Sequence, residues 1–222
     1  MSSVLITGFE PFGGMRDNPS AEIVRALDGA EIGGARIVGR RIAVDFARHR
    51  GQLEALFSEI DPTIYIGFGL ATGEDMIRIE RFGVNLADFE IADNAGLRHR
   101  GQTIEPDGPA ARAATLPAAE IRAGLLAAGI PARLSNSAGS YLCNANLYTS
   151  LGLCADRRPA PLCGFIHLPY ASEQLAAILA EGRIDGESLA ASLPIATMIA
   201  AARVIIAASL RSSVIPGSPS SR

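Results

Sequence analysis

Short apolar runs that alternate with segments of helical spacing are the feature that most constrains the fold of this chain. The apolar runs predict strands at residues 4–7, 36–44, 63–68, 76–86, 132–135 and 164–168. Helical spacing predicts helices at residues 20–27, 46–60, 118–128, 143–153 and 193–210. The first helix follows Asn18 and Pro19, with Ser20 as its candidate N-cap. Strands that alternate with helices predict an α/β fold, a single three-layer αβα domain with a mainly parallel twisted sheet.

One domain accounts for nearly the whole chain. The sequence has 222 residues, of which 48% are apolar, and this can fill one sizeable core. No linker or internal repeat divides it, so we assign residues 1–210 to the α/β domain. Residues 211–222 predict a disordered C-terminal tail. Residues 87–117 hold many Gly, Pro, Asp and Asn without a clear period, and they predict a long ordered loop of a kind that often carries function.

Composition argues against several classes of partner. The net charge is −3 and no basic block is present, so neither nucleic acid nor an anionic membrane surface is an expected partner. The most apolar stretch, residues 197–210, contains Arg203 and is short for a membrane span. The N-terminus has no signal-peptide pattern. Three cysteines without metal-ligand spacing argue against a disulfide framework or a zinc site. We expect a cytoplasmic protein without a cofactor or metal.

Histidine is scarce enough to narrow the search for catalytic groups. His49 and His99 each lie between two arginines, so we expect both to be solvated. His167 differs, because it lies at the end of a buried strand, where α/β sheets collect their ligands. From position alone, a buried structural histidine is an equally good interpretation of His167.

Cys143 stands where a thiol is activated. A turn of small residues precedes it and an apolar helical run follows, so the thiol would lie at a helix N-terminus. The helix dipole stabilises a thiolate there, and free backbone N–H groups can bind an oxyanion. Cys154 lies at the other end of the helix and Cys163 precedes a buried strand. We expect both of these to be buried and inert.

A cysteine–histidine hydrolase needs a third group to orient the imidazole, and Glu80 is the candidate. It is surrounded by apolar residues on a predicted strand. The alternative is a surface ion pair with Arg78 or Arg81.

In the Gly-rich N-terminal loop, the phosphate-binding patterns are missing, and Phe9 and Phe12 suit the wall of an apolar pocket. Both could equally be ordinary core residues.

Four segments, taken together, resemble the type I pyroglutamyl peptidase family. They are VLITGFEPFGG followed by NPS, ERFGVNLADFEIADN at residues 80–94, SAGSYLCNANLY at residues 137–148, and GFIHLPY at residues 164–170. The resemblance implies that Glu80, Cys143 and His167 are catalytic. It also implies a fold like that of the purine nucleoside phosphorylases, a homo-oligomer (tetramer or dimer), no metal, and N-terminally pyroglutamylated peptides as substrates.

The resemblance further implies an apolar pocket for the pyroglutamyl ring. Its residues would be Phe9, Phe12, Ile91, Tyr141 and Leu142, with Asn18 as a support and a backbone N–H near Leu70 as a second oxyanion donor. The chain departs from the family pattern where Glu74 and Glu90 replace arginines of many or some relatives. These two residues predict a preference for a basic residue after the pyroglutamate. They also leave open an amidase for another small acyl group. An idle binding protein with a buried Cys143 is the alternative from a different class.

Overall fold

A seven-stranded sheet organises the part of the chain that the structure, a computed structural model, describes, namely residues 2–183 and 191–213. The strands are β1 (Ser3–Phe9), β2 (Glu31–Ile32), β3 (Ala35–Ile42), β4 (Ile64–Leu70), β5 (Ile77–Glu80), β6 (Phe82–Val84), β7 (Ala111–Ala113), β8 (Ala132–Ser135), β9 (Leu162–Leu168), β10 (Tyr170–Ala171) and β11 (Ser192–Leu193). The helices are α1 (Pro19–Leu27), α2 (Phe46–Ile60), α3 (Ala118–Ala127), α4 (Leu142–Ala155), α5 (Ser172–Ala180) and α6 (Ile195–Ser213).

The sheet is mainly parallel and has the strand order β2-β3-β1-β4-β9-β5-β8. Strands β3, β1, β4 and β9 are parallel neighbours, while β2 and β5 run antiparallel to β3 and β9 respectively. Strand β8 is parallel to β5. The parallel strands β1, β4 and β9 all end at one edge of the sheet, which is where α/β proteins place their sites.

Residues alternate between the two faces of the sheet, and helices cover both. On one face Ile6, Ile66 and Ile166 pack against α1, α3 and α6. On the other face Tyr65 and Phe165 pack against α2 and α4. The three-layer α/β prediction is therefore confirmed.

The first helix is capped differently from the prediction. Asn18, not Ser20, is the N-cap, because the Asn18 side chain accepts a hydrogen bond from Ser20 N at 3.1 Å. Pro19 fits the first helical position, where no N–H is needed. The Ser20 hydroxyl instead accepts from Phe9 N at 2.9 Å and ties the helix to the end of β1.

Residues 76–86 form two strands where one was predicted. The chain leaves the main sheet after β5, and β6 pairs with β7 in a separate two-stranded sheet. Between residues 87 and 117 the backbone is irregular apart from β7 and an isolated bridge between Ala87 and Gln102. Phe89 is fully buried, so this loop is packed as predicted.

Helix α6 is longer than the sequence indicated. Within the described ranges it is the one helix that is long and apolar enough, by length and composition, to cross a membrane, so the expectation that this stretch is too short is wrong. In this structure it packs on the sheet, with Met198, Ile205 and Ile206 fully buried. It continues through Ser213 into the predicted tail, and residues 214–222 lie outside the described part of the chain.

Candidate active site

Glu80 and His167 meet because β5 and β9 are antiparallel neighbours. Arg78 lies directly opposite His167 in the register, and residue 80 points to the same face of the sheet as residue 78. Glu80 Oε1 accepts a hydrogen bond from His167 Nδ1 at 2.8 Å. Glu80 is 1% exposed and His167 is 5% exposed, so the pair is buried on the face that α4 covers.

Cys143 lies in the first turn of α4. The N-cap, Tyr141, makes no side-chain capping hydrogen bond, so the first backbone N–H groups of the helix are not used by a cap. Their partial positive charge stabilises a thiolate. A Cβ atom added at Gly69 would lie 2.7 Å from Cys143 Sγ, which places the sulfur directly above β4.

The charges in the site favour the protonated form of His167. Burial by itself lowers the pKa of His167, but the Cys143 thiolate and the Glu80 carboxylate outweigh it and raise that pKa to about 9. An imidazole with this pKa is protonated at neutral pH. The arrangement therefore places a protonated imidazole beside the side chain of Cys143 before any substrate binds.

Glu80 also pairs with Arg78, but in the interior rather than at the surface. Arg78 Nη2 lies 2.9 Å from Glu80 Oε1, and Arg78 Nη1 donates to Glu74 Oε1 at 2.7 Å. Arg81, the other predicted partner, donates to Asn136 Oδ1 instead. The surface ion-pair alternative for Glu80 is thus wrong.

A cavity of about 710 Å³ opens over these groups. All of the residues predicted to serve the pocket line it, namely Phe9, Phe12, Asn18, Leu70, Ile91, Tyr141 and Leu142, together with Cys143 and His167. Glu90 lines it as well. Glu74 does not, because its carboxylate lies between Arg78 and Arg133. The predicted influence of Glu74 on a substrate side chain therefore has no support in the geometry.

The loop that carries Phe12 is fixed by Asn18. Its side chain donates to Glu10 O at 3.1 Å and accepts from Ser20, so one buried amide holds both the loop and the helix start. At the end of β4, the backbone N–H of Ala71 donates a hydrogen bond to Leu168 O at 2.8 Å, so it is not free to bind an oxyanion. The N–H of Leu70 itself stays the candidate.

Sequence reasoning missed the far wall of the cavity. This wall is formed by Met15, Tyr170, Ile178 and Arg183. Ile178 lies in α5, and Tyr170 and Arg183 lie just before and just after this helix. The apolar spacing of residues 175 and 178 was a signal for this helix. It docks on the N-terminal loop through Gln174, whose side chain donates to Asp17 O at 2.9 Å.

The expectation for His49 is wrong. Its ring is buried, stacks on Phe9, and has no hydrogen-bond partner within the described part of the chain. Burial lowers the pKa of His49 to about 4. His49, Leu53 and Phe57 form the buried stripe of α2, so helical period outweighs the flanking arginines. His99 is half-buried and packs against Phe46, with the two rings tilted and their centroids 4.4 Å apart.

The remaining cysteines are as expected. Cys154 and Cys163 are free and buried, and burial raises the pKa of the Cys163 thiol well above its usual value. Only Cys143 among the three lines the cavity. Across residues 2–183 and 191–213, no group of three or more His, Cys, Asp or Glu side chains could hold a metal ion.

An α/β fold that brings Cys143 and His167 to one cavity, with Glu80 bonded to His167 behind it, defines a cysteine hydrolase. Residues 2–212 match the family model described as pyroglutamyl peptidase, and the chain belongs to that family. The pyrrolidone-carboxylate peptidase of Pyrococcus furiosus is 44% identical over 82% of this chain and 87% of its own length. That of Enterobacter sp. (strain 638) is 38% identical over 90% of this chain and 93% of its own.

The fold is shared as well. A crystal structure of pyrrolidone carboxyl peptidase from the hyperthermophile Pyrococcus furiosus superposes with a TM-score of 0.89 and 40% sequence identity. The match covers 95% of this chain and 99% of the other. Membership of a family of peptidases does not favour the two alternatives, another amidase or an idle binding protein.

Proposed function

We propose that this protein is a cysteine exopeptidase that hydrolyses the bond after an N-terminal pyroglutamyl residue and releases pyroglutamate. The observation that carries the proposal is the buried Glu80–His167 pair beside a thiol at an uncapped helix start, with His167 and the thiol both lining one cavity. Family membership supports the substrate class.

In the first half of the reaction, the Cys143 thiolate attacks the carbonyl carbon of the pyroglutamyl residue. The carbon–sulfur bond forms as the carbon–nitrogen bond breaks, and His167 gives its proton to the leaving amine. Backbone N–H groups at the start of α4, with Leu70 as the second donor, bind the oxyanion. Glu80 orients the imidazole through Nδ1.

In the second half, water attacks the thioester while His167 takes up its proton. The carbon–sulfur bond breaks, pyroglutamic acid leaves, and the thiolate and imidazolium are restored. No cofactor is needed for either half.

The pocket explains the choice of acyl group. A pyroglutamyl ring carries no charge, which suits walls built from Phe9, Phe12 and Tyr141. Proline has the same ring size but a charged amine, and burying that charge without a partner costs several kcal/mol. A site that hydrogen-bonds the lactam would reject prolyl analogues by roughly 10⁴-fold.

Hydrolysis of a fluorogenic pyroglutamyl amide tests the function directly. The wild-type protein should cleave it and leave the prolyl and glutamyl amides intact. Cys143→Ser should remove nearly all activity without unfolding the protein, and Cys154→Ser should not, because Cys154 is outside the cavity. Turnover of the prolyl amide at a comparable rate, or an active Cys143→Ser variant, would contradict the proposal.

We also propose that the enzyme is cytoplasmic and homo-oligomeric, as a dimer or tetramer. The three free cysteines support a reducing compartment. The oligomer follows from the family resemblance, and light scattering coupled to size-exclusion chromatography tests it.

A further inference from the structure

The Glu80 carboxylate has a second cationic partner besides His167. Its Oε1 atom lies 2.8 Å from His167 Nδ1 and 2.9 Å from Arg78 Nη2. Arg78 reaches it because residues 78 and 80 share one face of β5. Arg78 also lines the cavity, whereas Glu80 Oε2 is buried and has no partner among the described residues.

Arg78 is held rigidly in this position. Its Nη1 donates to Glu74 Oε1 at 2.7 Å and its Nη2 donates to Ser135 Oγ at 3.0 Å. Arg133 Nη2 binds the other oxygen of Glu74 at 2.7 Å, so the charge of Glu74 is shared between two arginines. The planar guanidinium is therefore a fixed and largely desolvated positive charge beside Glu80.

Glu80 needs this charge most at one stage of the reaction. In the resting enzyme the partner of Glu80 is an imidazolium. Once the leaving amine has taken that proton, His167 is neutral and Cys143 is an uncharged thioester. A buried carboxylate without a cation tends to take up a proton. Arg78 is then the one cation in direct contact with Glu80 within the described chain.

We propose that Arg78 is a positioning residue that keeps Glu80 ionised in the acyl-enzyme, so that His167 can accept the proton of the hydrolytic water. This inference rests on the proposed function. The water oxygen bonds to the acyl carbon, the carbon–sulfur bond breaks, and the water proton moves to His167. A protonated Glu80 cannot stabilise the imidazolium that forms. In acylation His167 starts out protonated and gives its proton to the leaving amine, so this half depends less on Arg78.

The charged groups around the pair are the ones that set its pH dependence. Cys143 faces His167 from α4, and Glu80 and Arg78 face it from β5. Arg133 on β8 also interacts with Glu80, with Glu74 between the two arginines. Loss of Arg78 removes the nearest of the positive charges around this pair, so the pH dependence of deacylation should change.

Replacing Arg78 by Met tests the inference, because it removes the charge and keeps the length. With pyroglutamyl p-nitrophenyl ester, an initial burst of nitrophenol reports acylation and the steady rate reports deacylation. Arg78→Met should leave the burst rate within a few-fold of wild type and lower the steady rate at pH 7 by about 10- to 100-fold. The pH midpoint of the steady rate should rise by about one unit or more. Mass spectrometry should find pyroglutamyl-Cys143 accumulating.

Arg112 offers a matched control. Its side chain is 18% exposed against 15% for Arg78, and it pairs with Glu105 as Arg78 pairs with Glu74, but it lies outside the cavity. Arg112→Met should show the wild-type burst, steady rate and pH midpoint even if its melting temperature falls. Arg78→Lys keeps a charge and should regain much of the steady rate.

The outcomes separate this inference from the proposed function. A folded Arg78→Met variant with a wild-type steady rate and pH midpoint overturns the inference, and so does an equal loss of burst and steady rate. If Arg78→Met does not fold, Arg78→Gln carries the same test, because it removes the charge and keeps a hydrogen-bond donor. A wild-type protein that turns over neither the ester nor a pyroglutamyl amide would overturn the proposed function instead.

Discussion

Gly69 is the position where one added methyl group should separate the thiol from His167. A Cβ atom there would lie 2.7 Å from Cys143 Sγ and 2.8 Å from Phe165 Cζ. Because non-bonded atoms pack at about 3.5–4.0 Å, the sulfur or the ring must retreat by about 1 Å. A misplacement of about 1 Å can lower a rate by about 100-fold, and we expect Gly69→Ala to lower kcat/KM by about that factor. The backbone at Gly69 does not have a positive φ, so strain in the main chain adds nothing.

The matched control for Gly69→Ala is Gly164→Ala. The added Cβ at residue 164 would lie 2.5 Å from Leu116 Cδ1, on the opposite face of the sheet. Both variants overpack the core and should lose about 1–3 kcal/mol of stability. Only Gly69→Ala should also slow cleavage of a pyroglutamyl amide and alkylation of Cys143 by iodoacetamide. If Gly69→Ala keeps more than about a third of the wild-type kcat/KM, the steric reasoning is refuted.

Two further predictions follow from charges described above. Glu90 lines the cavity and Glu74 does not, so Glu90→Gln should lower the ratio of kcat/KM for pyroglutamyl-lysine over pyroglutamyl-glutamate about 3-fold at low salt, and less at high salt. A wild-type ratio near one would rule out this preference. The unfolded chain protonates His49 near pH 6.5 and the folded protein only near pH 4, so stability should fall as the pH falls through this window. His49→Phe should remove about 1.4 kcal/mol per pH unit of that slope, measured by urea unfolding, and an unchanged slope would show that other groups cause it.

Much of the fold was predictable because it follows from local pattern. The buried strands β1, β4 and β9 are continuous apolar runs, and α2 shows a helical period over its whole length. The catalytic assignment came from motifs around Glu80, Cys143 and His167. The structure brings Cys143 and His167 to one cavity and bonds Glu80 to His167. Neither result required knowledge of distant contacts.

The errors arose where distant contacts decide the outcome. The flanking arginines of His49 suggested a solvated ring, yet the packing of α2 against the sheet buries it. The charge of Glu74 suggested a role towards substrate, but Arg133, 59 positions away, binds its carboxylate. Short helix α5 lacks strong end signals and is fixed through Gln174, whose partner Asp17 is 157 positions away. No local pattern contains such information.

The antiparallel pairing of β5 with β9 also has a consequence for folding. Glu80 and His167 are 87 positions apart in the chain, and their hydrogen bond exists only when these two strands have paired. Contacts between residues so distant in sequence form slowly, because the entropy of closing the loop must be lost first. During refolding, helical content should therefore return before enzymatic activity does. On the ribosome, a nascent chain that has emerged only as far as α4 would have its nucleophile but no general base.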